Sequence, residues 1–332
     1  MSQRYSLLDQ INRENVNQLE LKWVLQNQVF GAWQSNPIIV DGVMYVTERP
    51  NSVMAVDAVT GRVYWKYRHQ NADNALVCCG ANNRGVAVLN DKVYMGTLDA
   101  HLVALDRVNG QLLWEAEVGD VNLAYSVTMA PLAVKDKILV GVGGGEFGIR
   151  GYVAAFNAET GEQAWKTYTI PGPGEANHDS WEGDDWEHGG APVWITGSFD
   201  SDLNLTYWGV GNPGPDWNAG QRPGDNLYSD SAIALDADTG ELKWYFQFTP
   251  NDAYDYDSVQ VPVLADMEWR GEAKKVMMWA NRNGYFYVLD RTNGQFLEGK
   301  PYVKVNWSSG LDENGRPIPS PCLLYTSPSP RD

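Results

Sequence analysis

Ala55-Val56-Asp57-Ala58-Val59-Thr60-Gly61-Arg62-Val63-Tyr64-Trp65 decides how the chain folds, because it recurs. The frame Ala-x-Asp/Asn-x-x-Thr/Asn-Gly-x-x-x-Trp returns from Ala104 to Trp114, from Ala155 to Trp165 and from Ala234 to Trp244. A fifth copy, Val288 to Gly294, carries Glu298 where the tryptophan is expected. Each copy reads as a strand, a tight turn in which glycine supplies a positive φ, and a second strand. Two more short strands precede it, for example Pro37–Val40 and Val43–Thr47 joined at Asp41-Gly42. Four antiparallel strands in a period of about fifty residues is the pattern of a β-propeller blade. A β-sandwich with coincidental Thr-Gly turns is the competing reading, and it leaves four tryptophans at one offset from the turn unexplained. The predicted fold class is therefore all-β, with about five propeller blades over residues 1–302 and Trp65, Trp114, Trp165 and Trp244 lying between neighbours.

Working outward, residues 12–26 read as a short helical turn leading into a strand that ends near Trp23, and Leu19-Glu20-Leu21-Lys22-Trp23 resembles the last strand of a blade. A propeller closes by pairing strands from its two ends, so the partners of this strand are expected toward the C-terminus, yet the pattern dissolves after Gly299. Residues 303–332 are expected to be an unstructured tail, and 322–332, with Cys322, to be non-native. The chain reads as the front of a larger, incomplete ring. The period also stretches at Pro171–Gly190, a polar, glycine-rich segment with two tryptophans, and long ordered insertions on such scaffolds tend to carry function.

A formal net charge of −17 argues against nucleic acid as a partner, because such a surface repels phosphate. No run of 18 apolar residues suggests a membrane span, and no apolar segment follows Met1 as in a signal peptide. No Cys-x-x-Cys-His is present, so the chain carries no c-type haem of its own. His69, His101, His178 and His188 show neither helical i,i+4 pairing nor zinc-like spacing and read as surface or structural.

Four stretches carry candidate chemistry. Cys78-Cys79 is an adjacent pair, either two reduced thiols or a bond kept for a local purpose, since neighbouring Cα atoms about 3.8 Å apart lie below the usual disulfide range. Arg84 follows, a guanidinium suited to carboxylates. Gly143-Gly144-Gly145-Glu146-Phe147-Gly148 sets one carboxylate in a loop where backbone can approach a ligand. Gly211-Asn212-Pro213-Gly214-Pro215-Asp216-Trp217 presents an amide oxygen, and Glu146, Asn212 and Asp255 together are hard oxygen donors of the type Ca²⁺ takes. Last, Asp252-Ala253-Tyr254-Asp255-Tyr256-Asp257 packs three carboxylates into six residues. Read as extended chain, it points Asp255 and Asp257 the same way, and two like charges so placed call for a cation or a held proton. The plain alternative is a solvated acidic turn.

Taken together, the tryptophan repeats, Cys-Cys-x-x-x-Asn-Arg-Gly, Gly-Glu-Phe-Gly-Ile-Arg-Gly, Gly-Asn-Pro-Gly-Pro and Asp-Tyr-Asp resemble the pyrroloquinoline quinone (PQQ)-dependent alcohol dehydrogenases, the methanol/ethanol dehydrogenase large-subunit family, from about Tyr5 to Tyr302. The resemblance implies an eight-bladed ring of which this chain is the N-terminal part, with PQQ on its axis between a Cys78–Cys79 disulfide and Trp194. It implies that Arg84 and Thr128 contact the quinone's carboxylates and that Gly144 and Gly145 lie beside the cofactor. Gln34 stands where many members have a glutamate, so its contact would be a neutral hydrogen bond. Glu146, Asn212 and Asp255 would bind the metal, Asp255 would be the catalytic base, and Arg282 would polarise a quinone oxygen. Asp257, two positions after that base, resembles the lanthanide-dependent members and makes a lanthanide the expected ion, with Ca²⁺ as the alternative.

The activity so implied is oxidation of a primary alcohol to an aldehyde, with a small alcohol as substrate and a cytochrome c as electron acceptor. A periplasmic location and a homodimer are the corresponding expectations, and the missing blades leave open that the chain alone is inactive. The competing class is a non-catalytic propeller scaffold for protein interaction. It shares the tryptophan repeats but has no use for polar groups gathered on one axis.

Overall fold

The computed structural model describes residues 7–31 and 33–320. Five four-stranded antiparallel sheets follow one another along the chain, each a simple meander. The first holds β1 (Ile38–Val40), β2 (Val43–Glu48), β3 (Ser52–Asp57) and β4 (Val63–Arg68). The second holds β5 (Ala87–Leu89), β6 (Lys92–Gly96), β7 (His101–Asp106) and β8 (Leu112–Glu117), and the third β9 (Leu132–Val134), β10 (Lys137–Gly141), β11 (Tyr152–Asn157) and β12 (Gln163–Tyr168). The fourth comprises β13 (Ser198–Asp200), β14 (Leu205–Gly209), β15 (Ser231–Asp236) and β16 (Leu242–Gln247). The fifth comprises β17 (Val263–Trp269), β18 (Glu272–Ala280), β19 (Tyr285–Asp290) and β20 (Phe296–Pro301). These are the five expected blades, and the described residues form no closed ring.

In the second, third and fourth blades the second and third strands are buried nearly throughout while the fourth is mostly not, for example β6 against β8. Inner strands are covered on both faces by neighbouring blades, whereas the outermost strand meets water. The repeat's alanine pairs directly with its tryptophan, Ala55 with Trp65, Ala104 with Trp114, Ala155 with Trp165 and Ala234 with Trp244, and a register shift follows at the same place in all four.

Each tryptophan then reaches across the seam to the next repeat's turn. The Trp65 indole N–H donates to the Arg107 carbonyl at 3.0 Å, Trp114 to Ala158 at 3.2 Å, Trp165 to Ala237 at 3.4 Å and Trp244 to Arg291 at 3.2 Å. The indole face lies on the turn glycine: a Cβ added to Gly110, Gly161, Gly240 or Gly294 would stand 2.5, 2.8, 2.5 or 2.6 Å from the preceding copy's tryptophan ring. Glycine is thus required twice, for its φ near +75° and for the ring it must admit.

Two expectations about the ends are corrected. The helical turn is present at Val16–Gln18, but residues 19–29 form no strand, since no described strand offers them hydrogen-bonding partners. Trp23 nevertheless docks as its counterparts do, donating to the Ala58 carbonyl at 3.2 Å beside Gly61. The stretch expected to be an unstructured tail from residue 303 contains a hairpin, β21 (Ser308–Leu311) and β22 (Pro317–Pro319). Its turn repeats the earlier ones: the Asp312 carboxylate accepts the N–H groups of Asn314 and Arg316, and Gly315 lies on the ring of Phe296. Phe296, not the residue at 298, fills the aromatic role in the fifth copy, while Glu298 pairs with Arg270 at 3.1 Å. Trp307 is buried against Tyr254, Tyr256 and Tyr285, and Arg316 grips Asp225 with two bonds of 2.7 Å. The segment 322–332 expected to be non-native lies outside the described residues.

Candidate functional site

The loops that leave the blades on one side gather around a cavity of about 440 Å³. Gln34, Cys78, Cys79, Arg84, Thr128, Gly144, Glu146, Trp194, Asp255, Asp257 and Arg282 all line it. These come from segments up to 248 positions apart in the chain, counting from Gln34 to Arg282. Of the residues expected at the site, Gly145 and Asn212 are not among its lining. Gly145 opens a single 3-10 turn, Gly145–Phe147, and backs onto the Pro192 ring. Asn212 is buried behind the wall, its amide donating to the Asp216 carboxylate at 2.7 Å and its backbone N–H to Asp257 Oδ1 at 3.3 Å.

The wall formed by Cys78 and Cys79 is a disulfide between adjacent residues, with Cys79 in the left-handed region at φ 64°. One sulfur of each cysteine and a Glu146 carboxylate oxygen lie within 4.8 Å of one another. The loop that carries them is pinned by Asn82, which donates to the Cys79 carbonyl at 3.0 Å, by Arg49, which donates to the Ala81 carbonyl at 3.0 Å, and by Asn83, which donates to Gly96 at 2.9 Å. Gly144 enters the site at φ 116°, where a Cβ would meet the Ala124 carbonyl at 2.3 Å, so the loop reaches its position only with glycine.

Asp255 and Asp257 do not lie on an extended strand. Both adopt left-handed backbone, at φ 59° and 49°. The cause is Asp252, itself fully buried, whose two carboxylate oxygens accept the N–H groups of Tyr254 at 2.9 Å and Tyr256 at 2.8 Å and so curl the segment. The curl still turns both later carboxylates into the cavity, so the solvated-turn alternative fails. Arg222 locks the loop from below: it is almost completely buried and donates to the carbonyls of Pro215, Asp216 and Asp252 and to Asn226 Oδ1. Burial lowers its pKa, and carbonyl dipoles spread its charge in place of a carboxylate partner.

Four carboxylates, Glu146, Asp216, Asp255 and Asp257, meet two guanidiniums, Arg84 and Arg282, around the cavity. Asp257 Oδ2 accepts from Arg282 Nη1 at 3.0 Å and Oδ1 accepts from Trp194 Nε1 at 3.1 Å. Burial nevertheless pushes the Asp257 carboxyl up to about 6, against those two donors and with Glu146 adding repulsion. Arg84 rests over the Trp194 ring at 4.7 Å and donates to Thr128 Oγ1 at 2.8 Å; burial lowers its pKa to about 10. Four carboxylates against two guanidiniums suit a hard cation, and the Trp194 ring with the disulfide suits a flat ligand beside it.

Residues not assigned a role from sequence also shape the site: Asp252 and Arg222 as its supports, Asp216 and Trp217 on its wall. The only local signal for them was proximity to Asn212 and Asp255. The Pro171–Gly190 insertion, expected to carry function, contributes nothing to this lining. It packs outside it, with Trp181 buried and Trp186 at 4.7 Å from the Arg150 guanidinium.

Residues 1–310 match the model of the PQQ glucose/ethanol/alcohol dehydrogenase β-propeller domain. The chain is 44% identical to quinoprotein alcohol dehydrogenase PedH of Pseudomonas putida, over 95% of this chain and 56% of that one. It is 43% identical to quinohemoprotein alcohol dehydrogenase ADH-IIG of Pseudomonas putida, over 95% of this chain and 46% of that one. The solved structure of ADHIIG superposes with a TM-score of 0.91 over 96% of this chain and 49% of the other. A europium-containing methanol dehydrogenase, 39% identical, also gives 0.91, over 96% and 60%. The chain spans about half the length of the curated relatives it matches.

Proposed function

This chain belongs to the PQQ glucose/ethanol/alcohol dehydrogenase β-propeller family, and on that premise we propose that its cavity holds PQQ and a lanthanide ion for the oxidation of a primary alcohol to an aldehyde. The observation that carries the reading is the convergence of Cys78–Cys79, Trp194, Glu146, Asp255, Asp257 and Arg282 on one cavity. Bound there, the quinone supplies a two-electron acceptor and the ion a Lewis acid.

The chain's own residues do the rest. Asp255 takes the hydroxyl proton of the alcohol. Arg282 would polarise a quinone oxygen, and Arg84 and Thr128 would bind the quinone's carboxylates, with a neutral hydrogen bond from Gln34. The disulfide and Trp194 would shield the quinone from water, Gly144 would let backbone come close, and Gly145 would support it from behind the wall. Glu146, Asp255 and Asp257 would hold the ion from the lining, and Asn212, behind the wall and bonded to Asp216, would join them by turning its amide. Three carboxylates on one ion favour a trivalent charge over Ca²⁺, and similarity to a europium-containing methanol dehydrogenase supports that choice. The named relatives, described as quinoprotein and quinohemoprotein alcohol dehydrogenases, support the quinone-dependent oxidation of an alcohol; a cytochrome c as acceptor, a periplasmic location and a homodimer are further parts of the proposal.

Reconstituting the full-length apoprotein with PQQ and either La³⁺ or Ca²⁺ tests it. Alcohol-dependent dye reduction is expected to be about tenfold or more higher with La³⁺ and to collapse in Asp257→Ala. Higher activity with Ca²⁺, unchanged by Asp257→Ala, overturns the lanthanide assignment, and failure to bind PQQ overturns the cofactor.

A further inference from the structure

The seam between the first two blades holds a second group of ligand-type side chains, away from the cavity lining. His69 follows β4 in the first blade, Asp99 and His101 flank the turn into β7 of the second, and Glu115 lies on β8. We propose that His69, His101 and Glu115 form a binding site for a divalent transition-metal ion of the zinc type, which clasps the two blades at the root of the segment bearing Cys78 and Cys79.

Proximity comes first. One ligand atom from each of the three side chains lies within 4.8 Å of the other two. Tetrahedral bonds of about 2.1 Å put ligand atoms about 3.4 Å apart, so closing on an ion asks for a contraction on the order of an ångström. His101 and Glu115 are partly exposed and free to make that adjustment from the solvent side, while His69 is buried and fixed. His101 and Glu115 come together as a diagonal cross-strand pair, Nε2 to Oε1 at 3.9 Å.

The fixing of His69 has the form of a metal-site support. Its Nε2 lies 3.0 and 3.1 Å from the two oxygens of Asp99, which also accept the Ala72 N–H at 2.9 Å and the Thr97 hydroxyl at 2.6 Å. A carboxylate so held orients the imidazole, as outer carboxylates do behind metal-bound histidines. On the other ring, His101 Nδ1 is shut off from solvent and makes no hydrogen bond among the described residues; Asp99 Oδ1 stands 3.7 Å away. With Asp99 beside Nδ1, the tautomer protonated there is favoured, and Nε2 is left as the ring's ligand atom, on the side of Glu115.

The donor set selects the ion. Two imidazoles and one carboxylate suit Zn²⁺, Cu²⁺ or Ni²⁺, in contrast to the all-oxygen set of the cavity, which suits hard ions. Among the described residues, the ion pairs of these carboxylates, Asp99 with His69 and His101 and Glu115 with His101, involve no lysine or arginine that would compete with a metal. The site escaped the sequence because its histidines are 32 positions apart on two blades, outside any contiguous ligand spacing.

Isothermal titration of the metal-stripped full-length protein with ZnCl₂ tests the site, and it does not depend on the proposed quinone chemistry. One ion should bind with a Kd of about 1 µM or tighter, and excess Zn²⁺ should raise the melting midpoint. Glu115→Gln, a change at an exposed residue, and His101→Ala should each weaken binding by about tenfold or more. Asp257→Ala should leave it unchanged. Cu²⁺ bound in place of Zn²⁺ should show nitrogen hyperfine structure in its paramagnetic resonance spectrum, reduced in His101→Ala. No one-to-one binding, wild-type affinity in Glu115→Gln or His101→Ala, or loss of binding in Asp257→Ala overturns the proposal.

Discussion

Aspartate is used in opposite ways in the repeat turns and in the loop around Asp255. At the first four turns an aspartate or asparagine sits at the blade edge and its side chain accepts the N–H groups two and three positions on, as Asp57 does from Val59 and Thr60 and Asp236 from Asp238 and Thr239. The Tyr64 hydroxyl and the N–H groups of Thr60 and Val59 hold the Asp57 carboxyl down at about 2. In the axial loop Asp252 also accepts two N–H groups, yet burial pushes it up to about 6. Asp230, fully buried, is likewise raised, by burial first and then by Asp252 and Asp257. Two backbone N–H bonds are common to both, but Asp57 adds the Tyr64 hydroxyl and stays in water, whereas Asp252 is buried, and the outcomes are opposite. The blades gain stability from their apolar seams and lose some of it in the loop that serves the cavity.

The largest expected effect breaks a seam. Trp165→Ala removes a nearly buried indole and its bond to Ala237 and should cost about 3–5 kcal/mol in chemical denaturation. A loss under about 1 kcal/mol would show that the seams do not carry the blades.

A middle-sized effect reads the loop. Because the folded pKa of Asp252 lies above its unfolded value near 4, the stability it contributes is fully present below about pH 4 and is lost as pH rises through about 6. Asp252→Asn removes that titration, though it also costs one N–H acceptor at every pH. The stability of the variant relative to wild type should therefore improve between pH 4 and pH 7, by on the order of 1–3 kcal/mol. A pH-independent difference would mean that Asp252 ionises normally in the fold.

The smallest effect tests the turns. Asp236→Ala leaves two exposed N–H groups to water, and the melting midpoint should fall by only about a degree or two. A fall approaching that of Trp165→Ala would reverse the ranking of seam over turn.

The propeller was legible because its signals are local. The turn glycines, the strand before and after each, and the tryptophan at a fixed offset all sit within eleven residues, and the same backbone physics repeats in every copy. The residue types around the cavity were legible as well, since each stands in a short motif. What the motifs could not convey is how those pieces face one another. The hairpin at 308–319 was missed because its aromatic is Phe296, two residues earlier than the expected position 298, and its glycine meets that ring only after folding.

Local sequence thus sufficed for the blade count, the identity of the seam tryptophans and the presence of ligand-type oxygens. Only the folded chain decided that Asp255 and Asp257 take left-handed backbone under the hold of Asp252, that Arg222 is buried on carbonyls, and that two histidines from separate blades meet at Asp99. The physical reason is range. Strand and turn preferences arise within a few residues, whereas burial, charge and ligand geometry depend on groups brought together from across the chain.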